Sequence, residues 1–162
     1  MERRTSILCG MGLIAICTWL TVRTTAAPPD SQGIVWFDDL NAAHKISLKQ
    51  NKPMLVVFSA DWCGYCRKLR KTTLSDPKLA GYVNAAFVPV YLDFDRQKKV
   101  AKILGVRSIP CSIILSPQAD LLGRQVGYVS VKKYRLVLDD ARRLHAKLIQ
   151  ANNSSEQPPD SP

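Results

Sequence analysis

The chain has 162 residues, 46% apolar and 22% charged, an ordinary composition for one globular domain that excludes collagen-like, wholly disordered and multi-span membrane proteins. Lys and Arg number 23 against 13 Asp and Glu, a formal charge of +10, which permits nucleic acid, acidic lipid or an acidic protein as partner without choosing among them. The five cysteines, Cys9, Cys17, Cys63, Cys66 and Cys111, are too few and too unevenly placed for a disulfide-stapled scaffold.

Arg3 and Arg4 precede an uncharged stretch, residues 7–22, which is followed by Arg23 and the small residues Thr24, Thr25, Ala26 and Ala27. A basic start, an apolar middle and a small-residue end are the order of a secretory signal, so residues 1–27 read as a signal peptide cleaved after Ala26 or Ala27. The apolar run falls short of the roughly 20 residues that span a bilayer comfortably, and a membrane association is expected only if this segment stays uncleaved. Cys9 and Cys17 then read as apolar filler in a discarded segment. The mature protein, with a net charge of about +8, is expected to be periplasmic or otherwise exported, where disulfides persist. Residues 28–150 read as one domain. Residues 151–162 read as a disordered tail, because from Asn152 onward there is no apolar side chain except proline.

Within the domain, Asp38 or Asp39 can cap a helix to about Asn51, with Leu40, Ala43 and Ser47 spaced to face a sheet. Residues 54–60 (MLVVFSA) form a continuous apolar, β-branched run that reads as a central strand buried on both faces, implying parallel pairing. Directly after it comes Asp61-Trp62-Cys63-Gly64-Tyr65-Cys66, then RKLRKTTL, a helix with a basic outer face. Pro77 interrupts that helix and a short helical stretch follows. FVPVYLDF, residues 87–94, is the second strand. Residues 95–104 read as a helix with Val100, Ile103 and Leu104 inward, stopped by Gly105 as a left-handed cap. Ile109-Pro110 leads into the strand CSIILS, and the SPQAD turn at 116–120 returns it as an antiparallel hairpin, residues 121–129. A last helix over 130–149 places Tyr134, Val137, Leu138, Ala141, Leu144 and Leu148 along one stripe. His44 and His145 read as surface or boundary residues rather than bases.

Cys63 and Cys66 stand at a strand-to-helix junction. Unsatisfied backbone N–H groups and the helix dipole favour an anion there, which lowers the thiol pKa and makes Cys63 a nucleophile. Cys66, one turn on, can attack a mixed disulfide at Cys63 and resolve it. Gly64 keeps the approach open and Tyr65 supplies an aromatic body beside it. Other readings are weaker. Zinc wants four ligands where one Cys-x-x-Cys stands alone. Covalent haem requires His where Arg67 stands. A structural disulfide closing so short a loop removes little chain entropy.

The stretch FSADWCGYCRKL, Ile109-Pro110 before a strand, Gly127 after the next one, and the element order together resemble the thioredoxin superfamily over residues 34–150. The opening, with a helix ending in Lys-Pro before the first core strand, looks most like exported bacterial thioredoxin-like proteins. The resemblance implies an α/β thioredoxin-like fold, a central mixed β-sheet of about four strands flanked by helices in a single domain. It implies an enzyme, a thiol-disulfide oxidoreductase of the protein-disulfide reductase or isomerase type. Cys63 matches the attacking cysteine, Cys66 the resolving one, Trp62 the flanking tryptophan, and Pro110 the cis-proline lying against the disulfide. The Ile109 backbone would then pair with an extended substrate, alongside Gly64 and Tyr65. No cofactor or metal is expected beyond the redox-active disulfide. The partners implied are protein thiols and disulfides and a redox partner that regenerates the site. A monomer is expected, and no nucleic acid.

Three departures stand out. Val57 occupies the position where many cytosolic thioredoxins carry a buried aspartate, so proton transfer to Cys66 must use water or another group. Gly-Tyr between the cysteines is shared with periplasmic disulfide isomerases, which carry a separate dimerisation domain. Cys111 stands where threonine is frequent, either as a small buried thiol or, if it faces the site, as an accessory one. Ile109 and the lack of an inserted helical domain favour a reductant over a dedicated oxidant. Two rival functions are a noncatalytic peptide-binding or chaperone-like module using the groove at Trp62, Tyr65 and Pro110, and nucleic-acid or membrane-surface binding through Arg67, Lys68, Arg70, Lys71, Lys98, Lys99 and Lys102. The second lacks the aromatic interleaving of a single-strand binder.

Overall fold

A computed structural model describes residues 33–155. The expected signal segment with Cys9 and Cys17, and the tail beyond residue 155, lie outside the described residues. The elements run α1 (Leu40–Gln50), β1 (Met54–Ser59), α2 (Gly64–Thr72), α3 (Pro77–Ala86), β2 (Val88–Asp93), α4 (Lys98–Ile103), β3 (Cys111–Leu115), β4 (Leu121–Val126) and α5 (Val131–Ser155).

The four strands form one mixed sheet in the order β2-β1-β3-β4. β1 pairs with β2 in parallel, Met54 opposite Val88, and with β3 antiparallel, Phe58 opposite Cys111. The hairpin closes antiparallel between β3 and β4 as expected. β1 is buried at every residue because its alternate side chains feed two cores. Leu55 and Val57 point into a cluster with Leu69 of α2, Leu79, Ala80 and Val83 of α3, and Tyr134, Leu138 and Ala141 of α5. Met54, Val56 and Phe58 point the other way, toward Ala43 of α1 and Ala101 of α4. The sheet is thus sandwiched, with α2, α3 and α5 on one face and α1 and α4 on the other.

Local chemistry explains the helix starts. The Asp39 carboxylate accepts from the backbone N–H groups of Asn41 and Ala42, at 2.7 and 3.2 Å, and Asp76 accepts from Leu79 N at 2.8 Å ahead of Pro77 at the first turn of α3. Gly105 closes α4 at φ +65°. Gly127, at φ +79°, ends β4 before the expected residue 129 and donates its N–H to the Pro110 carbonyl at 2.8 Å.

Further expectations are corrected. α4 starts later than read, because Asp93 Oδ1 accepts from Asp95 N and Arg96 N and holds the chain in turns before the helix, and Ile103, read as inward, is 73% exposed. α5 continues past residue 149 through Ser155, so the segment read as tail begins inside this helix, whose backbone bonds outlast its apolar stripe. That stripe turns at its end onto His145, 7% exposed, rather than Leu144, 40% exposed.

His145 is therefore buried, not a surface or boundary residue, and its Nε2 has no hydrogen-bond partner among the described residues. It lines a cleft of about 610 Å³ with Leu121, Leu148 and Asp120, and Asp120 accepts a hydrogen bond from Ser116 Oγ. Burial pushes the His145 pKa below the ordinary value of 6.5, because the charged ring loses hydration that nothing replaces. A depressed folded-state pKa stabilises the fold above the unfolded value, and that stability is lost as pH falls through the folded value. Urea midpoints are therefore expected to drop on acidification below about pH 6.5, and His145→Leu is expected to flatten that part of the slope while adding about 1 kcal/mol at neutral pH. An unchanged slope in the variant would assign the acid sensitivity elsewhere.

Candidate active site

The C-terminal end of β1 delivers the chain into Asp61, Trp62 and Cys63, and α2 begins at Gly64. Cys63 is the N-cap of α2, extended at φ −80° and ψ 108°. Its Sγ accepts the backbone N–H of Cys66 at 3.1 Å, the position at which a helix start presents a donor to an anion. Cys63 and Cys66 are joined in a disulfide with Cα atoms 5.2 Å apart. Ala60 and the two cysteines form a small buried cluster closed by Ile109.

Ile109 comes from 46 residues away, and its carbonyl oxygen lies 3.8 Å from Cys63 Sγ. The Ile109–Pro110 peptide bond is cis. Trp62 and Tyr65 stand on the rim at 65% and 67% exposure. Trp62 is nevertheless held, since its indole Nε1 donates to Asp95 Oδ2 at 2.8 Å. A Cβ at Gly64 would meet only Arg67 Nη2, at 3.9 Å, so the glycine leaves open space beside the disulfide.

Asp95 is missing from the sequence reading, and no signal in the sequence marks it, because its bond to Trp62 joins segments 33 residues apart. Arg67 and Tyr128 are likewise absent from the expected site. Arg67 Nη1 donates to the Asp61 carbonyl at 2.6 Å, and Lys68 Nζ sits 4.4 Å from the centre of the Tyr128 ring.

Val57 is buried in the α2-side cluster, and among the described residues the buried polar side chains are Ser47, Ser59, Ser112, Ser116, Thr73 and His145. A proton for Cys66 therefore has no buried carboxylate to come from. A cleft of about 300 Å³ reaches Ala60 and Asp61 from the side of Asp93 and Arg96 and gives water an approach to the end of β1.

Cys111 lies in the other cluster, with Phe58, Val106 and Ile113, on the sheet face opposite α2. Burial pushes its thiol pKa up, partly offset by Arg124, whose Nη1 is 3.9 Å from the sulfur. The two basic runs also divide, since Leu69 packs α2 on one face and Ala101 packs α4 on the other. They do not form one continuous patch. Among the described residues no group of three or more His, Cys, Asp or Glu is placed to hold a metal ion, and no helix is long and apolar enough to cross a membrane.

A Cys-x-x-Cys disulfide at a helix N-cap, closed by a cis-prolyl loop over a mixed four-stranded sheet, defines a thioredoxin-fold protein with a redox-type site. The chain belongs to the thioredoxin-like domain family, whose profile matches residues 40–142. It is 34% identical over 99 residues to the thioredoxin-related protein DsbJ of Chlamydia pneumoniae, covering 54% of this chain and 28% of that protein. It is 30% identical over 110 residues to the protein disulfide isomerase-like 2-3 of Oryza sativa subsp. japonica, covering 64% of this chain and 24% of that protein. The match thus spans about a quarter of the length of these curated relatives. The solved structure of DsbH oxidoreductase superposes with a TM-score of 0.63 at 16% identity, covering 74% of this chain and 92% of that one, a likeness of fold alone.

Proposed function

We propose that the protein is an exported thiol-disulfide oxidoreductase that reduces or exchanges protein disulfides through the Cys63/Cys66 pair. The observation that carries this reading is the Cys66 backbone N–H directed at Cys63 Sγ, 3.1 Å away at the start of α2. In the reduced protein that donor and the helix dipole stabilise a thiolate on Cys63. The thiolate attacks one sulfur of a substrate disulfide, forming a mixed disulfide and expelling the other sulfur as a thiolate, which takes a proton from water. Cys66 gives its proton to water, attacks Cys63 Sγ, expels the second substrate sulfur as a thiolate and leaves the Cys63–Cys66 disulfide. Two electrons have passed to the substrate, and a dithiol redox partner restores the pair.

Trp62, Gly64 and Tyr65 form the substrate-binding rim, and the backbone of Ile109 beside Pro110 pairs with an extended substrate segment. Cys111, buried on the opposite face, is outside this cycle. The cysteines serve as the only redox group, with no cofactor. Export rests on the signal-like order of residues 1–27, with the working domain in 28–150 and the protein acting as a monomer. The alternative, a peptide-binding module without catalysis, is supported by the exposure of Trp62 and Tyr65 and predicts a site indifferent to its cysteines.

The deciding measurement is the reduction potential of the Cys63/Cys66 pair, by equilibration in glutathione or dithiothreitol buffers with thiol trapping. A value near about −270 mV assigns a reductant, and one near about −120 mV an oxidant. A pair that cannot be cycled ends the oxidoreductase reading.

A further inference from the structure

The charges around the disulfide are unevenly distributed. On the side of Trp62 stand Asp61 and Asp95, the latter bound to the indole, with Arg96 lining the same cleft as Asp61. Along α2 every charged side chain is a cation, Arg67, Lys68, Arg70 and Lys71, all exposed. Arg70 and Lys71 lie in the last turn, where the helix dipole favours cations. Arg67 and Lys68 are the fourth and fifth of its nine residues, outside that last turn, and α2 has no acidic residue in its first turn. Neither residue forms an ion pair among the described residues. Neither the dipole nor an ion pair accounts for them.

Both are nevertheless held in place beside the site. Arg67 is fixed by its bond to the Asp61 carbonyl at 2.6 Å. Lys68 is fixed over Tyr128, the residue after Gly127, whose N–H is bonded to the Pro110 carbonyl. One cation therefore marks the Cys63 loop and the other the cis-proline loop, with Tyr65 exposed nearby. The guanidinium keeps further donors free for a carboxylate, and a held side chain loses less entropy on binding than a free one.

We propose that Arg67 and Lys68 select protein partners that carry acidic side chains next to the reacting cysteine. The inference rests on the oxidoreductase reading and names the partner class for the same site. An acidic segment crossing the disulfide is attracted along α2 and repelled at Asp61 and Asp95, which fixes the side on which it lies. An extended, disulfide-bearing peptide segment is favoured over a nucleic acid or a lipid surface because the α4 cations are on the other face of the sheet, leaving only a local patch.

The test uses the full-length protein, reduced by dithiothreitol, and three peptide disulfides that differ only in flanking residues, Glu, Ser or Lys. At low ionic strength kcat/KM is expected to fall in that order, with about a tenfold ratio between the Glu and Lys peptides, and the ratio is expected to approach one in salt. In the double variant R67Q/K68Q the ratio is expected to collapse at low salt as well. Equal rates for the three peptides overturn the proposal while leaving the oxidoreductase reading intact if they are reduced at all. A double variant that slows all three peptides alike, with the ratio preserved, also overturns it and assigns the cations to tuning the Cys63 thiolate. Binding to phosphatidylglycerol vesicles through Arg67 and Lys68 without a peptide preference overturns it in favour of a lipid surface. Failure to reduce even neutral 2-hydroxyethyl disulfide removes the oxidoreductase reading and this proposal with it.

Discussion

Replacing Cys63 by Ser is expected to lower disulfide exchange by at least ~10³-fold, because a hydroxyl at neutral pH does not supply the anionic nucleophile that the helix start stabilises. The fold should persist, since oxygen fills the same N-cap position and accepts the Cys66 N–H in place of sulfur. Cys66→Ser is expected to behave differently. It leaves the attacking thiol but removes the resolving one, so a covalent complex with substrate should accumulate, visible by mass spectrometry after acid quenching. The pair of variants separates the two proposed roles. Full function in Cys63→Ser would instead identify the groove around Trp62 and Tyr65 as a binding module.

Phe58→Ala is expected to cost about 3–5 kcal/mol, read from urea denaturation at neutral pH. Phe58 is fully buried near the end of β1, in the cluster with Leu92, Val106 and Cys111, so the lost ring leaves a cavity among packed apolar side chains. Its register partner is Cys111, the residue after Pro110, so the cavity opens beneath the loop that carries Ile109 to the disulfide. A loss below about 1 kcal/mol would mean that the α1 and α4 layer is packed more loosely than the burial implies.

The contrast between these variants reflects what is legible in a linear chain. Cys63 and Cys66 announce themselves because their chemistry is local: three residues of spacing at a strand-to-helix junction suffice to place both sulfurs on one helical turn. Phe58 announces only that it is buried. Similarly, α4 was readable as a helix from its composition, but its start was not, because the Asp93 carboxylate captures two backbone N–H groups ahead of it. Local side-chain bonds of that kind compete with helix formation and leave no periodic trace.

The end of α5 shows the same limit. After Ala141 a helical stripe continues equally well at the third or the fourth residue, and hydrophobicity selects Leu144 where packing selects His145. The direction in which α5 crosses the sheet makes that choice, and it depends on neighbours distant in sequence. Tyr134 illustrates the converse, being apolar enough to be placed in the core by pattern yet needing Ser112 of β3 to accept its hydroxyl proton, at 2.8 Å.

The element order, the buried central strand and the two-cysteine helix start are legible in the linear chain, since each follows from period, composition or spacing within a few residues. The strand order β2-β1-β3-β4, the bond from Trp62 to Asp95 and the separation of the two basic runs onto opposite faces emerge only once the chain is folded. The reason is physical: a strand buried on both faces must find two neighbours and two helical layers, and which segments supply them is settled by the packing of the whole core rather than by any segment alone.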